Sequence, residues 1–390
     1  MQYREFGRLG KKVSALGFGC MRLPTRDGVP QSADIDEAAT IRMIRHAIDQ
    51  GVNYIDTAYP YHNGRSEVVT GKALGDGYRP KVILATKSPV WLITKPEDFD
   101  TYLDEQLTRL GTDHIDVYLL HALGTERWEK IVLKHRLIER AEAAVKDGRI
   151  GRVGFSFHDK SDVFRRIVDS YDGWAVCQIQ YNYMDTENQA GTAGLRYAAG
   201  KGLGVVIMEP LLGGRLAAPP RATAEVFRAS ARGWSPAEWA LQWTWDQPEV
   251  STVLSGMKAL SEVEENLRAA DRSGVGSLRP GDRAVFERAR KILRERAPIP
   301  CTQCGYCRPC PSGVNIPRNF ELYNDCVIYD DPAIPRALYS RFMPEGERAG
   351  ACTACRSCED KCPQRIAVSE LMPEVHAVLG EGRTPKSSGR

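Results

Sequence analysis

From residue 13 to about 270 the chain alternates short β-branched runs with longer segments of helical period, and that alternation narrows the possible folds more than any other feature. Eight runs read as strands: 14–19, 53–57, 81–87, 115–121, 152–157, 176–181, 204–209 and 250–255. Between them lie stretches such as Ala38, Ile41, Ile44 and Ile48, apolar at helical spacing. Asp34 and Glu37 are spaced as a capping box before that stretch, and Gly51 reads as its stop. Ser235, Pro236 and Glu238 open another helix, with proline at its first position. Strand and crossover helix repeated eight times over about 260 residues is the count and size of an α/β fold of the (β/α)8 TIM-barrel type. An open doubly wound sheet also alternates, but it carries a glycine-rich dinucleotide loop after its first strand, whereas Gly17-Phe18-Gly19 runs into Cys20-Met21-Arg22 here. Residues 4–13, with Gly7 and Gly10, read as a small hairpin that plugs the barrel bottom.

At 390 residues the chain exceeds the roughly 250–300 at which one core stops growing, so an appended module is expected. The divisions read from sequence are a barrel over 1–275, a helical connector over 276–299, a cysteine-rich module over 300–378 and a flexible tail over 379–390. Pro280-Gly281 reads as a break in the chain and 282–296 as a charged helix. Lys and Arg number 53 against 50 acids, interleaved throughout, which argues against a nucleic-acid or anionic-membrane partner. Apolar runs such as Val205 to Met208 are strand-length, and the N-terminus has no apolar stretch of the secretory kind, so a cytoplasmic protein is expected.

In a barrel of this type chemistry sits at the C-terminal ends of the strands. The second strand ends in Asp56, with Tyr61 in the loop after it, the third in Lys87 and the fourth in His121. Any one of these is ordinary alone; together they would converge on one mouth, at a desolvation cost that packing does not explain. They suit carbonyl reduction, where hydride arrival creates an alkoxide that needs a proton donor and nearby positive charge. Tyr61 would be the donor, with Lys87 expected to lower its pKa, Asp56 to hold Lys87 protonated, and His121 to bond the substrate oxygen.

The run GVNYIDTAYPYHNGRSE, with ATK and LLH at the next two strand ends, resembles the aldo/keto reductase signature over about residues 3–270. The resemblance implies the tetrad Asp56, Tyr61, Lys87 and His121 and a nicotinamide cofactor, NADP or NAD, extended over the mouth without a Rossmann domain. It implies Ser156 and Gln178 as holders of the nicotinamide, with Phe157 where Asn is usual and Met208 where many members stack an aromatic ring. Gly256, Lys258 and Asn266 fall where members bind the adenosine phosphate. Glu262 stands where many NADP-dependent members carry Arg, and an acid there repels a 2′-phosphate while Lys258 attracts one. The segment 209–234 is long for a barrel loop; with Gly213-Gly214 it could close over the pyrophosphate or be a surface excursion.

Nine of the eleven cysteines lie between Cys301 and Cys362. Cys352, Cys355, Cys358 and Cys362 before Pro363 spell C-x2-C-x2-C-x3-C-P, the bacterial ferredoxin run for a four-iron cluster. Cys301, Cys304, Cys307 and Cys310 before Pro311 form a copy shorter by one residue, so two 4Fe-4S clusters are expected, or one if the shortened spacing keeps Cys310 from ligating. Resemblance to dicluster ferredoxins implies a crossed arrangement, Cys301, Cys304 and Cys307 with Cys362, and Cys352, Cys355 and Cys358 with Cys310. The long spacer, with helical character over 319–328, implies a small, mainly helical ferredoxin-like iron-sulfur domain. Zinc seldom takes a third Cys two residues after a CxxC pair, and disulfides are unusual in a cytosolic chain. Cys20, Cys177 and Cys326 read as buried small residues.

The combined expectation is an NAD(P)-dependent oxidoreductase of the aldo/keto reductase type acting on a small carbonyl or alcohol, with clusters for structure or for electron transfer to a redox partner protein. A flavin at the mouth stays open, as does an iron-sulfur electron-transfer or regulatory protein whose barrel binds a partner without carbonyl turnover.

Overall fold

Tyr3–Glu5 (β1) pairs antiparallel with Lys12–Ser14 (β2), and the turn between them drives Phe6 into a nearly dry interior. There Phe6 meets Val13, Tyr54, Ile83, Val117, Val176, Val206 and Leu254. It packs edge-on against Tyr54 at 5.6 Å between ring centroids. Gly7 makes this approach possible: its φ is +54°, and a Cβ there would stand 2.3 Å from the backbone nitrogen of Gly204. Around this interior eight parallel strands close a barrel. They are Leu16–Gly19 (β3), Tyr54–Asp56 (β4), Ile83–Ser88 (β5), Ile115–Leu123 (β6), Ile150–Phe157 (β7), Val176–Gln180 (β8), Gly204–Met208 (β9) and Thr252–Ser255 (β10), with β10 returning to pair with β3. The Arg8 N–H donates to Gly202 O at 2.9 Å and the Arg4 guanidinium to Val250 O at 2.9 Å. Both acceptors precede strands, so the hairpin plugs the N-terminal end and leaves the C-terminal end for chemistry.

The structure, a computed structural model, describes residues 1–385; the end of the expected tail, 386–390, lies outside the described residues. Three local readings are corrected. The run 14–19 is two strands, because Ser14 pairs with Tyr3 and its hydroxyl donates to Leu16 O at 2.6 Å, turning the chain before β3. The helix Glu37–Asp49 is capped by Asp36, whose carboxylate accepts the Ala39 N–H at 2.9 Å, rather than by Asp34. Pro280 starts a helix, Pro280–Glu295, instead of breaking the chain, since its missing N–H costs nothing in the first turn.

Two compact units emerge. The first joins Met1–Leu212 to Ala237–Leu278, and the second joins Gly213–Pro236 to the chain from Arg279 onward. In the second, the helices Ile316–Ile328 and Val368–Leu379 bury Phe320, Leu322, Met372, Val375 and Val378 in a core of its own. Arg215 reaches Asp325 at 2.6 Å, with both side chains largely buried. Its guanidinium also lies 4.7 Å from the Tyr329 ring. Arg215→Ala leaves that carboxylate without its cation and is expected to cost this unit about 3–5 kcal/mol. Urea unfolding followed by a probe in the second unit measures it, and a loss under about 1 kcal/mol would mean solvent reaches the pair. Among the described residues, no helix is long and apolar enough to cross a membrane.

Candidate functional site

The three strand ends converge as their positions require. Asp56 closes β4 opposite Ala85, so Lys87, two residues further along β5, points the same way at the mouth. Lys87 Nζ donates to Asp56 Oδ1 at 2.6 Å and to Thr57 O at 2.7 Å, and it lies 3.4 Å from Tyr61 Oη. Asp56 and Lys87 are 2% and 1% exposed, whereas Tyr61 and His121 are half-buried at the rim. The Tyr61 and His121 rings stand edge to face at 6.1 Å. His121 also meets Trp91, with 5.1 Å between centroids.

The electrostatics follow from enclosure. Burial alone would lower the Lys87 pKa, but the Asp56 carboxylate and Tyr61 outweigh it and the net shift is upward, so the ammonium persists. Burial raises Asp56, and Lys87 offsets that only in part. For Tyr61 the expectation was a lowered pKa; the net direction is upward, because enclosure outweighs the pull of Lys87 and Asp56 adds to it. His121 is held well below its usual 6.5, first by burial and then by Lys87, His158 and Arg127. The site therefore holds a protonated phenol beside an ammonium and a neutral imidazole.

Ser156 and Gln178 face each other across β7 and β8. The Ser156 hydroxyl accepts the Ala122 N–H at 2.7 Å and keeps its own hydrogen to donate. Gln178 Oε1 is buried with no hydrogen-bond partner among the described residues, while its amide nitrogen lies 3.9 Å from the sulfur of Met208 and the side chain also acts on Asp56. An orphaned acceptor beside a free donor is the complement of a carboxamide, so these residues fit a nicotinamide. At the other end of the expected cofactor track, Gly256 and Lys258 are exposed after β10. The Lys258 N–H is taken by Glu262 Oε2 at 2.8 Å. Asn266 is buried and donates to Ser255 Oγ at 2.8 Å. Gly213 belongs to the second unit.

In that second unit Cys301, Cys304, Cys307 and Cys362 line one small cavity with Ile316, Phe320 and Val368. Cys362 comes from the second run and joins three cysteines of the first. Between the two runs, Cys310 is close enough to Cys358 to act on it electrostatically, and the Ser312 and Thr353 hydroxyls meet at 2.9 Å, drawing the end of one run to the start of the other. Among the described residues no three Cys, His or acidic side chains are set to hold a single metal ion. Sulfurs spread around a cavity suit a cluster better than a lone zinc. Cys20, Cys177 and Cys326 are buried.

Sequence reasoning missed the frame behind Lys87. The buried Glu67 accepts from Thr86 at 2.6 Å, while the Gln106 amide donates to Lys87 O at 3.1 Å and accepts from Tyr118 at 2.6 Å. The only trace in the sequence is a carboxylate on the buried face of the helix Arg65–Leu74. It also missed Arg127 and Trp91, whose relevance lies in tertiary placement.

The model of the aldo/keto reductase family matches residues 15–273, and that of a 4Fe-4S dicluster domain matches 300–367. L-galactose dehydrogenase of Arabidopsis thaliana is 30% identical over 294 residues, covering 69% of this chain and 88% of that protein. The uncharacterized oxidoreductase YrpG of Bacillus subtilis is 26% identical over 328 residues, covering 70% and 91%. The holo form of aldo-keto reductase AKR11C1 from Bacillus halodurans superposes with a TM-score of 0.61 at 25% identity, covering 74% of this chain and 96% of that one. The thermostable aldo-keto reductase Tm1743 gives 0.61 at 25% identity, covering 74% and 100%.

Proposed function

Because the chain belongs to the aldo/keto reductase family, we propose that this oxidoreductase interconverts a small carbonyl compound and its alcohol with NADH or NADPH, and that its 4Fe-4S domain carries two clusters. The observation that carries the reading is the Lys87 ammonium held by Asp56 Oδ1 at 2.6 Å and Thr57 O at 2.7 Å with Tyr61 Oη at 3.4 Å. When bound, the nicotinamide supplies the hydride for reduction or receives it in the reverse direction. Ser156 and Gln178 would hold its carboxamide. The Tyr61 hydroxyl gives its proton to the carbonyl oxygen as that oxygen becomes an alkoxide, and Lys87 stabilises the phenolate left behind. Asp56 keeps Lys87 charged and aimed. A neutral His121 can donate one N–H to the same oxygen without competing for its proton.

The test is anaerobic purification with iron and sulfide analysis, followed by nicotinamide oxidation against a panel of small aldehydes and ketones. Carbonyl-dependent oxidation of NADH or NADPH is expected, with about eight irons per chain. Cluster reduction by nicotinamide without any carbonyl turnover would overturn the reading in favour of electron transfer.

Glu262 supports NAD over NADP, since its carboxylate occupies the N–H of Lys258 at the adenosine end. Glu262→Arg is expected to raise the NADPH to NADH ratio of kcat/KM by about tenfold or more, the scale of reversing a charge beside a phosphate. An unchanged ratio would remove Glu262 from cofactor selection.

A further inference from the structure

The loop after β6 carries a cation without an anion. Arg127 is part-buried, and it forms no ion pair among the described residues. One of its amino groups donates to Ala122 O at 2.8 Å, and its guanidinium lies 5.1 Å from the centre of the Trp91 ring. Trp91 is the ring that packs on His121. The nearby acids are committed elsewhere. Glu126 accepts from Lys130 at 2.8 Å, Glu129 pairs with Arg166 at 3.1 Å, and Asp56 holds Lys87. Asp159 accepts the N–H and hydroxyl of Thr125 at 2.8 and 2.9 Å, which ties down the loop just before Arg127. His158 lies close enough to Arg127 and His121 to act on both electrostatically, and it is the other titratable group facing this corner. Partial burial of a guanidinium that has no carboxylate is offset only in part by Ala122 O and the Trp91 ring, and a planar fork with further donors is the usual receptor of a carboxylate.

We propose that Arg127, stacked on Trp91 beside His121, binds a carboxylate on the substrate, so that the preferred carbonyl compounds are oxo acids or aldehydes bearing an acid group. This rests on the reductase reading of the same site. The carbonyl oxygen is polarised between Tyr61 and His121, while the substrate's acid group reaches the far side of the His121–Trp91 pair. Trp91 lies against the guanidinium and limits its access to water, which strengthens the interaction.

The experiment compares a short series of ω-carboxyaldehydes with their methyl esters, using the full chain with clusters assembled. Wild type is expected to favour acid over ester in kcat/KM by about 10- to 100-fold, and Arg127→Gln to reduce that ratio to near one while ester turnover stays within about threefold. Arg127→Lys is expected to restore part of the preference, because it returns the charge without the fork. Calorimetric titration with succinate supplies a readout independent of turnover, with binding expected in wild type and lost in Arg127→Gln. No acid preference in wild type, or a preference that survives Arg127→Gln, overturns the proposal. Equal losses on acid and ester also overturn it, since Arg127 would then only position the loop. Arg127-dependent succinate binding without reduction of any aldehyde would uphold the anion site and overturn the reductase reading instead.

Discussion

Replacing Tyr61 with Phe is expected to lower kcat for carbonyl reduction by about 10²–10⁴-fold with little change in KM, read from steady-state nicotinamide oxidation. The substitution removes one oxygen and leaves the ring that packs on His121, so binding surface is kept and only the proton source is lost. The electrostatics give this prediction a pH signature. Tyr61 is held above its usual 10.0 by enclosure, so the acid form needed for reduction is fully present at neutral pH and is lost only as pH rises past about 10. Alcohol oxidation needs the phenolate and should climb over the same high window. His121 is held well below 6.5 and should contribute no limb between about pH 6.5 and the Tyr61 limb. Near-wild-type turnover in Tyr61→Phe would remove Tyr61 as the acid, and a limb centred near pH 6.5 would mean that His121 titrates in the working enzyme.

The sign of the Tyr61 shift marks where sequence reading stops. That an ammonium would stand near the phenol is legible in the strand-end spacing of Asp56, Lys87 and His121, because a parallel barrel aims every strand end at one mouth. How tightly protein atoms enclose the phenol is set by loops whose path no local pattern dictates, and that enclosure decides the net direction. The eight barrel strands were legible for a similar reason: β-branched runs repeat with turn signals between them. The break between β2 and β3 was not, since Ser14 and Leu16 look alike to periodicity and only the pairing of Ser14 with Tyr3 separates them. Gly213–Pro236 shows the same limit at larger scale. Its glycines fit either a cofactor loop or a surface excursion, and its place in the second unit comes from contacts such as Arg215 with Asp325, more than a hundred residues apart in sequence. In sequence Arg127 is one more charged residue in a balanced chain, and only the lack of an ion pair among the described residues sets it apart.

Two double substitutions in the second unit are expected to give opposite iron contents. If Cys362 completes the site of Cys301, Cys304 and Cys307, then Cys301→Ala with Cys362→Ala strikes one cluster twice and leaves about four irons per chain, while Cys352→Ala with Cys362→Ala strikes both clusters and leaves almost none. An uncrossed arrangement reverses the two results. The cavity supports the crossed form, since Cys362 lines it with the three cysteines of the first run and with Phe320 and Val368 from the core helices. The same packing ties the clusters to folding. Cys301, Cys307, Cys310, Cys352 and Cys362 all lie against the apolar core of this unit, so if they ligate iron, emptying a site would leave thiols where bonds to the metal joined two distant segments. Anaerobic chelation is therefore expected to lower the melting transition of the second unit and leave the barrel transition in place. Cys326→Ala is the control for packing alone: Cys326 is buried in that core outside both runs, so its loss should cost about 1 kcal/mol and no iron. Loss of all iron from both double variants, together with loss of helical signal, would show that the unit cannot fold around a single cluster. Equal retention of about four irons in both would remove Cys362 from ligation altogether, because only then would its substitution fail to separate the two pairs.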